Sequence, residues 1–335
     1  MAIDFGLALD FWSNQQPLSR RLEDYVRLLR IAEDKGFDSV WAGENRPPKL
    51  LPGHTPSPLL VLAALANRTT LRLGTGVTLL TLWQPLRLAY DGAMLDQLCD
   101  GRLTLGVGVG SGAVMKRYGV PRSESGPRMD DTLKFLKAMW SGADHYHGEH
   151  FQVDGAVVPG PVQPGGPPIW VGGTINRSVQ RAAELGDAWC AATQYHFELI
   201  KLQARRYREA LQARGADPSG ATVAINRSTF LAPTVDQARR EGKPYVTDVL
   251  NFYAAFGSIT DAAGKPLDRK TDLFERVGDE IYFVGSPASV IESIERYVEA
   301  GVNQFNLRVS MGDMPAELVE RTIRLLGDQV LPRFK

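Results

Sequence analysis

Cysteine is scarce. Only Cys99 and Cys190 occur among 335 residues, far apart and without CxxC spacing. That excludes a disulfide framework and predicts two buried, inert thiols in a reducing compartment. Long hydrophobic runs are missing too: no stretch of 18 apolar residues occurs, so no segment has the length of a membrane-spanning helix. Neither charge is in excess. Lys and Arg total 38, Asp and Glu total 38, and no long run of one sign stands out. A nucleic-acid surface or an anionic membrane is therefore not indicated, and a small-molecule substrate is expected. The opening MAIDFGLALDFWSNQQP lacks a basic n-region and a small-residue cleavage site, so a cytoplasmic protein is expected. The G-x-S-x-G elbow of a serine hydrolase and the G-K-[ST] loop of an NTPase are absent as well.

What is there is alternation. Short apolar runs at 3–9, 39–42, 71–80, 102–109, 169–172, 187–191, 222–231 and 304–309 read as strands. Amphipathic stretches at 20–35, 58–67, 85–99, 128–140, 175–185, 197–213, 287–300 and 315–330 read as helices between and after them. Eight strands short and apolar enough to be buried on both faces predict an α/β fold, a single (β/α)8 TIM barrel spanning 1–335. A doubly wound sheet with a second domain would need a division of the chain, and no linker or shift in composition supplies one. Two segments break the rhythm and are expected as insertions at the barrel mouth: about 141–168, rich in Gly and Pro, and about 239–280, with Tyr245, Phe252, Tyr253 and Phe256.

The stretch DGRLTLGVGVGSGAVMKRYGV, residues 100–120, places Gly106, Gly108, Gly110 and Gly112 directly after an apolar run. Its spacing is not the G-x-G-x-x-G of a dinucleotide fold. Alternating glycines instead clear side chains from a strand end, so that a flat ring or a neighbouring backbone can approach. Gly74-Thr75-Gly76-Val77 has the same character one unit earlier. Together they describe a floor for a planar heterocycle, although the same glycines would also relieve crowding inside a barrel. A third site, Ile169-Trp170-Val171-Gly172-Gly173-Thr174, runs from a strand into a helix start, where backbone N–H groups favour phosphate and Thr174 adds a hydroxyl or a cap. Trp12 and Trp83 in loops are candidate pocket walls, and Trp170 is expected to pack the barrel. His145-Tyr146-His147-Gly148-Glu149-His150 contains metal-ligand types, but in a hairpin His145 and His147 share a face that His150 leaves. No metal is expected.

The segments AEDKGFDSVWAGEN, LRLGTGVTLL, LDQLCDGRLTLGVGVG, YHGEHFQVDG, PPIWVGG, AAELGDAW and FVGSPASVIESIERYVEAGVNQF follow one another in an order that resembles the luciferase-like flavin- and deazaflavin-dependent oxidoreductases. The resemblance implies a barrel holding a flavin-like cofactor at the C-terminal strand ends. By position, Thr75, Gly76 and Val77 are similar to the bulge beneath the ring, where the family often has a non-prolyl cis peptide. Gly108, Val109 and Gly110 fall where the family lines the ring, and Gly172, Gly173 and Thr174, with Val171 before them, where it holds the cofactor phosphate.

Luciferase-type members typically place an Arg at the position of Val109 and a His pair where this chain reads Glu44-Asn45-Arg46. GVGVG, residues 118–120 and YVEAGVNQF look more like the coenzyme F420-dependent reductases, such as methylenetetrahydromethanopterin reductase. The resemblance therefore implies coenzyme F420 and hydride transfer to or from a small organic substrate. The alternatives are a two-component monooxygenase that takes reduced FMN from a separate flavin reductase and uses O2, and a non-catalytic flavin-binding barrel. Many deazaflavin enzymes keep a His at the position of Asn45, and an amide does not act as an acid. Proton handling would then fall to Glu44 or Asp10, each equally compatible with a structural ion pair or a cap. A homodimer is expected by analogy.

Overall fold

The short apolar strands lie parallel and close on themselves in the computed structural model, which describes every residue except Met1, residues 12–14 and 46–54, Phe256 and Arg269. Trp12, Arg46 and Phe256, singled out above, lie outside the described residues. The eight barrel strands are β1 Asp4–Ala8, β2 Ser39–Ala42, β3 Arg72–Thr75, β4 Leu103–Gly108, β5 Ile169–Gly172, β6 Ala188–Ala191, β7 Thr222–Leu231 and β8 Gln304–Arg308. Each pairs with its sequence neighbour, and β8 pairs with β1, opposing Gln304 to Asp4. Helices follow the strands and cover the outside, and none among the described residues is long and apolar enough to cross a membrane.

Alternation along the strands separates two cores. Outward residues, among them Phe5, Leu7, Val40, Leu73, Leu105, Val107, Ile225 and Leu307, form the core between strands and helices. Inward residues form a small second core of Ala8, Trp41, Trp170, Ala188, Cys190 and Ala224. Trp41 and Trp170 fill the barrel, ring centroids 4.8 Å apart. Their bulk explains why the inward positions against Trp41 are glycines. A Cβ at Gly74 would stand 2.2 Å from the Trp41 ring, and one at Gly6 would stand 2.5 Å from its Nε1.

Three expectations need correction. The run 71–80 is not one strand: β3 ends at Thr75, and Thr78–Leu79 restarts as a separate pair against Val107 and Gly108. The helix read at 128–140 begins earlier, as Arg122–Trp140 with Pro127 inside it. The segment 239–280 is also more regular than it reads. It opens within the 20-residue helix Val235–Ala254, in which Pro244 interrupts the helical pattern of the sequence without ending the helix. A further strand, Tyr282–Gly285, then extends the sheet beside the end of β7, from Ser228 to Leu231.

The insertion at 141–168 holds the expected hairpin, His145–His147 against Gln152–Asp154. Buried Asp131 fastens it, accepting from the Tyr146 hydroxyl at 2.6 Å and the His150 N–H at 2.7 Å. Asp96, fully buried, secures the rest of the loop by accepting from the N–H groups of Val162 and Gln163 at 2.8 and 2.9 Å.

Gly74→Ala should lower stability by about 1–3 kcal/mol or more, because Trp41 cannot withdraw from a packed barrel; the urea midpoint measures it. Burial pushes the Cys190 thiol up to about 12 and raises that of Cys99. Neither should react with Ellman's reagent in native protein at mildly alkaline pH, and both should react in denaturant; rapid native labelling of Cys190 would contradict a closed inner core.

Candidate active site

Two residues beyond the tryptophan layer along each strand, the next inward positions form the barrel mouth. Around the ring they are Asp10, Gly43, Gly76, Gly108, Gly172, Ala192, Asn226 and Arg308. Five neighbours in a row carry no more than a methyl group. The other three are polar. The mouth is thus half bare floor and half charged wall.

The bulge after β3 makes the floor. The Gly76–Val77 peptide is cis, as the family resemblance implies. Each nearby glycine accommodates part of this bulge: a Cβ at Gly106 would stand 2.0 Å from the Thr75 carbonyl oxygen, at Gly43 2.8 Å from the Gly76 carbonyl oxygen, and at Gly108 2.9 Å from Val77 Cγ2. At Gly172 it would stand 3.0 Å from Val77 Cγ1. The glycines on β4 and β5 therefore make room for Thr75 and Val77 first. Val77 and the backbone of Gly76 are half-buried and form the exposed surface of that floor. The Thr75 hydroxyl donates to the Gly106 carbonyl at 2.7 Å and ties the bulge to β4. Gly110 has φ +90°, a backbone that favours glycine.

Glu44, at the end of β2, braces the bulge from behind. Its N–H donates to the Val77 carbonyl at 2.8 Å, and its Oε2 accepts from the Leu79 N–H at 2.8 Å and the Trp83 indole N–H at 3.0 Å. Trp83, a candidate pocket wall, is thus tied to Glu44. Asn45 is half-buried, its N–H donating to the Thr55 carbonyl at 3.0 Å.

On the charged side, Asp10 and Arg308 form a buried ion pair. Arg308 Nε lies 3.0 and 3.2 Å from the two carboxylate oxygens and Nη2 2.6 Å from Oδ2, which also accepts from the Gly312 N–H at 3.2 Å. Burial pushes the Asp10 carboxyl up, and Arg308 pulls against that shift. Arg21 and the Tyr25 hydroxyl both donate to the Asp10 carbonyl.

Where the sequence suggests a phosphate seat, the structure is partly different. The Gly173 N–H is committed to the Cys190 carbonyl at 3.1 Å. The Val171 side chain is fully buried in the outer core and Val109 packs against that core, so neither side chain faces the mouth. Thr174 is buried against the Tyr195 phenol, its carbonyl accepting from Gln203. The helix itself starts later, as Asn176–Leu185, and no side chain caps its first turn. Gly172, Gly173 and this helix start remain together at the rim.

The sequence reading missed Arg227, Tyr195, Asn226 and Arg308. Arg227 is fully buried on the outer face of β7 and donates to the carbonyls of Thr193 at 2.9 Å and Tyr195 at 2.8 Å, and to the Tyr297 hydroxyl at 2.7 Å. It thereby fixes the loop after β6, on which the Thr193 hydroxyl reaches Asn226 at 3.0 Å. A visible signal was the alternation Gln304, Asn306, Arg308: polar residues at every second position of an otherwise apolar strand. The exposed pairs His145–Asp144 and His147–Asp154 lie on the hairpin, and no group of three side chains that could hold a metal occurs among the described residues.

A parallel barrel with a bare floor and a polar wall at its C-terminal mouth has the architecture of the (β/α)8 enzymes, whose sites lie at that face. The chain belongs to the luciferase-like monooxygenase family, whose model matches residues 4–304. It is 24% identical to the oxygenase component of the flavin-dependent trigonelline monooxygenase of Acinetobacter baylyi, over 96% of this chain and 92% of that one. It is 27% identical to the 5,10-methylenetetrahydromethanopterin reductase of Archaeoglobus fulgidus, over 94% and 96%. The crystal structure of monooxygenase RslO1 from Streptomyces bottropensis superimposes with a TM-score of 0.86 at 26% identity, covering 99% of this chain and all (100%) of that one.

Glu44→Ala should leave the Leu79 N–H and the Trp83 indole without their acceptor and lower stability by about 1–3 kcal/mol, while Glu44→Gln, which keeps an acceptor, should cost less. Thermal unfolding of both variants checks the order, and equal losses would remove the bracing role.

Proposed function

We propose that this oxidoreductase acts as the oxygenase of a two-component system, seating reduced FMN on the Gly76–Val77 floor and oxidising a small organic substrate with O2. The observation that carries this choice is the state of the two candidate proton donors. Asp10 is paired with Arg308, and Glu44 Oε2 already accepts from two N–H groups. With Asn45 in the family's histidine position, each acid is already engaged by structural partners rather than standing free at the floor, which favours a reaction that does not draw on it as the proton donor of a hydride transfer. The reading therefore departs from the coenzyme F420 that the family resemblance implied.

The residues present fit a flavin. Val77 and the Gly76 backbone offer a flat apolar seat on which no neighbouring strand end projects a side chain. The uncapped start of helix Asn176–Leu185, beside Gly172 and Gly173, offers backbone N–H groups and a positive helix end to a phosphate. Bound reduced flavin supplies two electrons to O2, one oxygen atom going to the substrate and the other to water. The chain's own tasks are to hold the ring level, fasten the phosphate and close the polar wall around the substrate. A separate flavin reductase would deliver the cofactor, in keeping with the trigonelline relative being the oxygenase component of a flavin-dependent monooxygenase.

The second reading, F420-dependent hydride transfer, is favoured by the 27% identity to the methanopterin reductase. Fluorescence titration of the apoprotein with FMN and F420, followed by oxygen uptake with an added flavin reductase, separates the two. FMN should bind more tightly, with substrate-dependent oxygen uptake; preference for F420 overturns the proposal, and cofactor binding without turnover across substrates points to the non-catalytic barrel. Ile175 is 67% exposed at the helix start. Ile175→Glu should weaken FMN about tenfold by repelling the phosphate while leaving the unfolding temperature unchanged.

A further inference from the structure

The guanidinium of Arg308 has two usable edges, and Asp10 takes only one. Nε and a single Nη2 hydrogen are spent on the Asp10 carboxylate. The end-on edge, made of Nη1 and the second Nη2 hydrogen, meets no acceptor among the described residues, and the side chain keeps 14% exposure. That edge is a planar fork of parallel donors, a shape matched by the two oxygens of a carboxylate. Asp10 holds the fork in a fixed orientation, so little rotamer freedom is lost on binding.

The surroundings favour the same ligand. Asn226, on the adjoining strand, accepts from Thr193 through its side-chain oxygen, which leaves the amide nitrogen as a donor at the mouth. Tyr253, half-buried and within electrostatic reach of Asp10 and Arg308, has its phenol pKa raised by desolvation, so it stays protonated and able to donate. Arg21, directly behind, donates to the carbonyls of Asp10 and Gly312 and to the Ser310 hydroxyl, so it adds positive charge without a carboxylate among these partners.

We infer that the polar half of the mouth is a carboxylate subsite: the substrate is a small organic acid whose carboxylate lies end-on against Arg308, with its carbon skeleton reaching toward the Gly76–Val77 floor. This deepens the proposed function and rests on its reading of that floor as the cofactor seat.

The test uses matched pairs that differ in charge: acetate with acetamide, and benzoate with benzamide. Each is titrated into the full-length protein while the Arg308 guanidinium is followed by side-chain NMR. The carboxylates should shift the Arg308 resonances saturably, with a preference of about tenfold or more over the amides. Arg308→Lys, which keeps a cation beside Asp10 but lacks the fork, should abolish the preference. No Arg308 shift with either carboxylate, equal response to acid and amide, or an undiminished preference in Arg308→Lys would each overturn the inference. The wild-type comparison decides by itself should that variant not fold. FMN titration of the same samples separates the two readings. Intact FMN binding without a carboxylate response removes only the subsite, whereas a carboxylate response without cofactor binding removes the floor's assignment and keeps the subsite.

Discussion

The site depends on one steric arrangement: the chain after β3 turns into the barrel at Thr75–Val77, and neighbouring strands can admit it only where they carry no Cβ. Gly43, Gly106, Gly108 and Gly172 meet this condition from three different strand ends. Because the bulge fills the space those glycines vacate, the floor it forms is rigid and apolar. Glu44 and Thr75 then hold it from two sides with hydrogen bonds whose partners are backbone or indole N–H and carbonyl groups. A surface built this way can support a ring without reorganising when the ring arrives.

The polar half of the mouth follows a different logic. Burying Asp10 and Arg308 costs desolvation, and the pair is tolerable because the geometry is side-on and a backbone N–H completes it. An ion pair is weak evidence for stability in such a place, which makes its position facing the bare floor more informative than its strength. Arg227 belongs to the same construction from outside the barrel. Its cluster of carbonyl acceptors fixes the loop carrying Thr193 and Tyr195, so that the wall beside Asn226 keeps its shape.

Much of the fold was legible because each layer leaves a local trace. Apolar strands buried on both faces, glycines closing helices and the hairpin after Trp140 all show in the order of residues. The helix Val235–Ala254 was not legible because Pro244 interrupts its pattern locally while packing against the sheet sustains it. Within the site, the glycines were found by their spacing, yet their use was only half read. Spacing shows that a side chain is missing and does not show which atom, a ring or Val77, fills the gap. Val171 and Val109 were placed at the mouth by position along the chain, and strand parity turned their side chains into the outer core.

The sequence by itself determined the barrel, the family and the strand ends that bear the site, since these rest on periodicity and on residue types with local consequences. Only the tertiary structure decided that Asp10 meets Arg308, 298 residues away in the chain, and that Glu44 is engaged by Leu79 and Trp83. Such pairings depend on the closure of β8 against β1 and on the path of the bulge. Closure joins the two ends of the chain, and no local pattern records which side chains it will bring face to face.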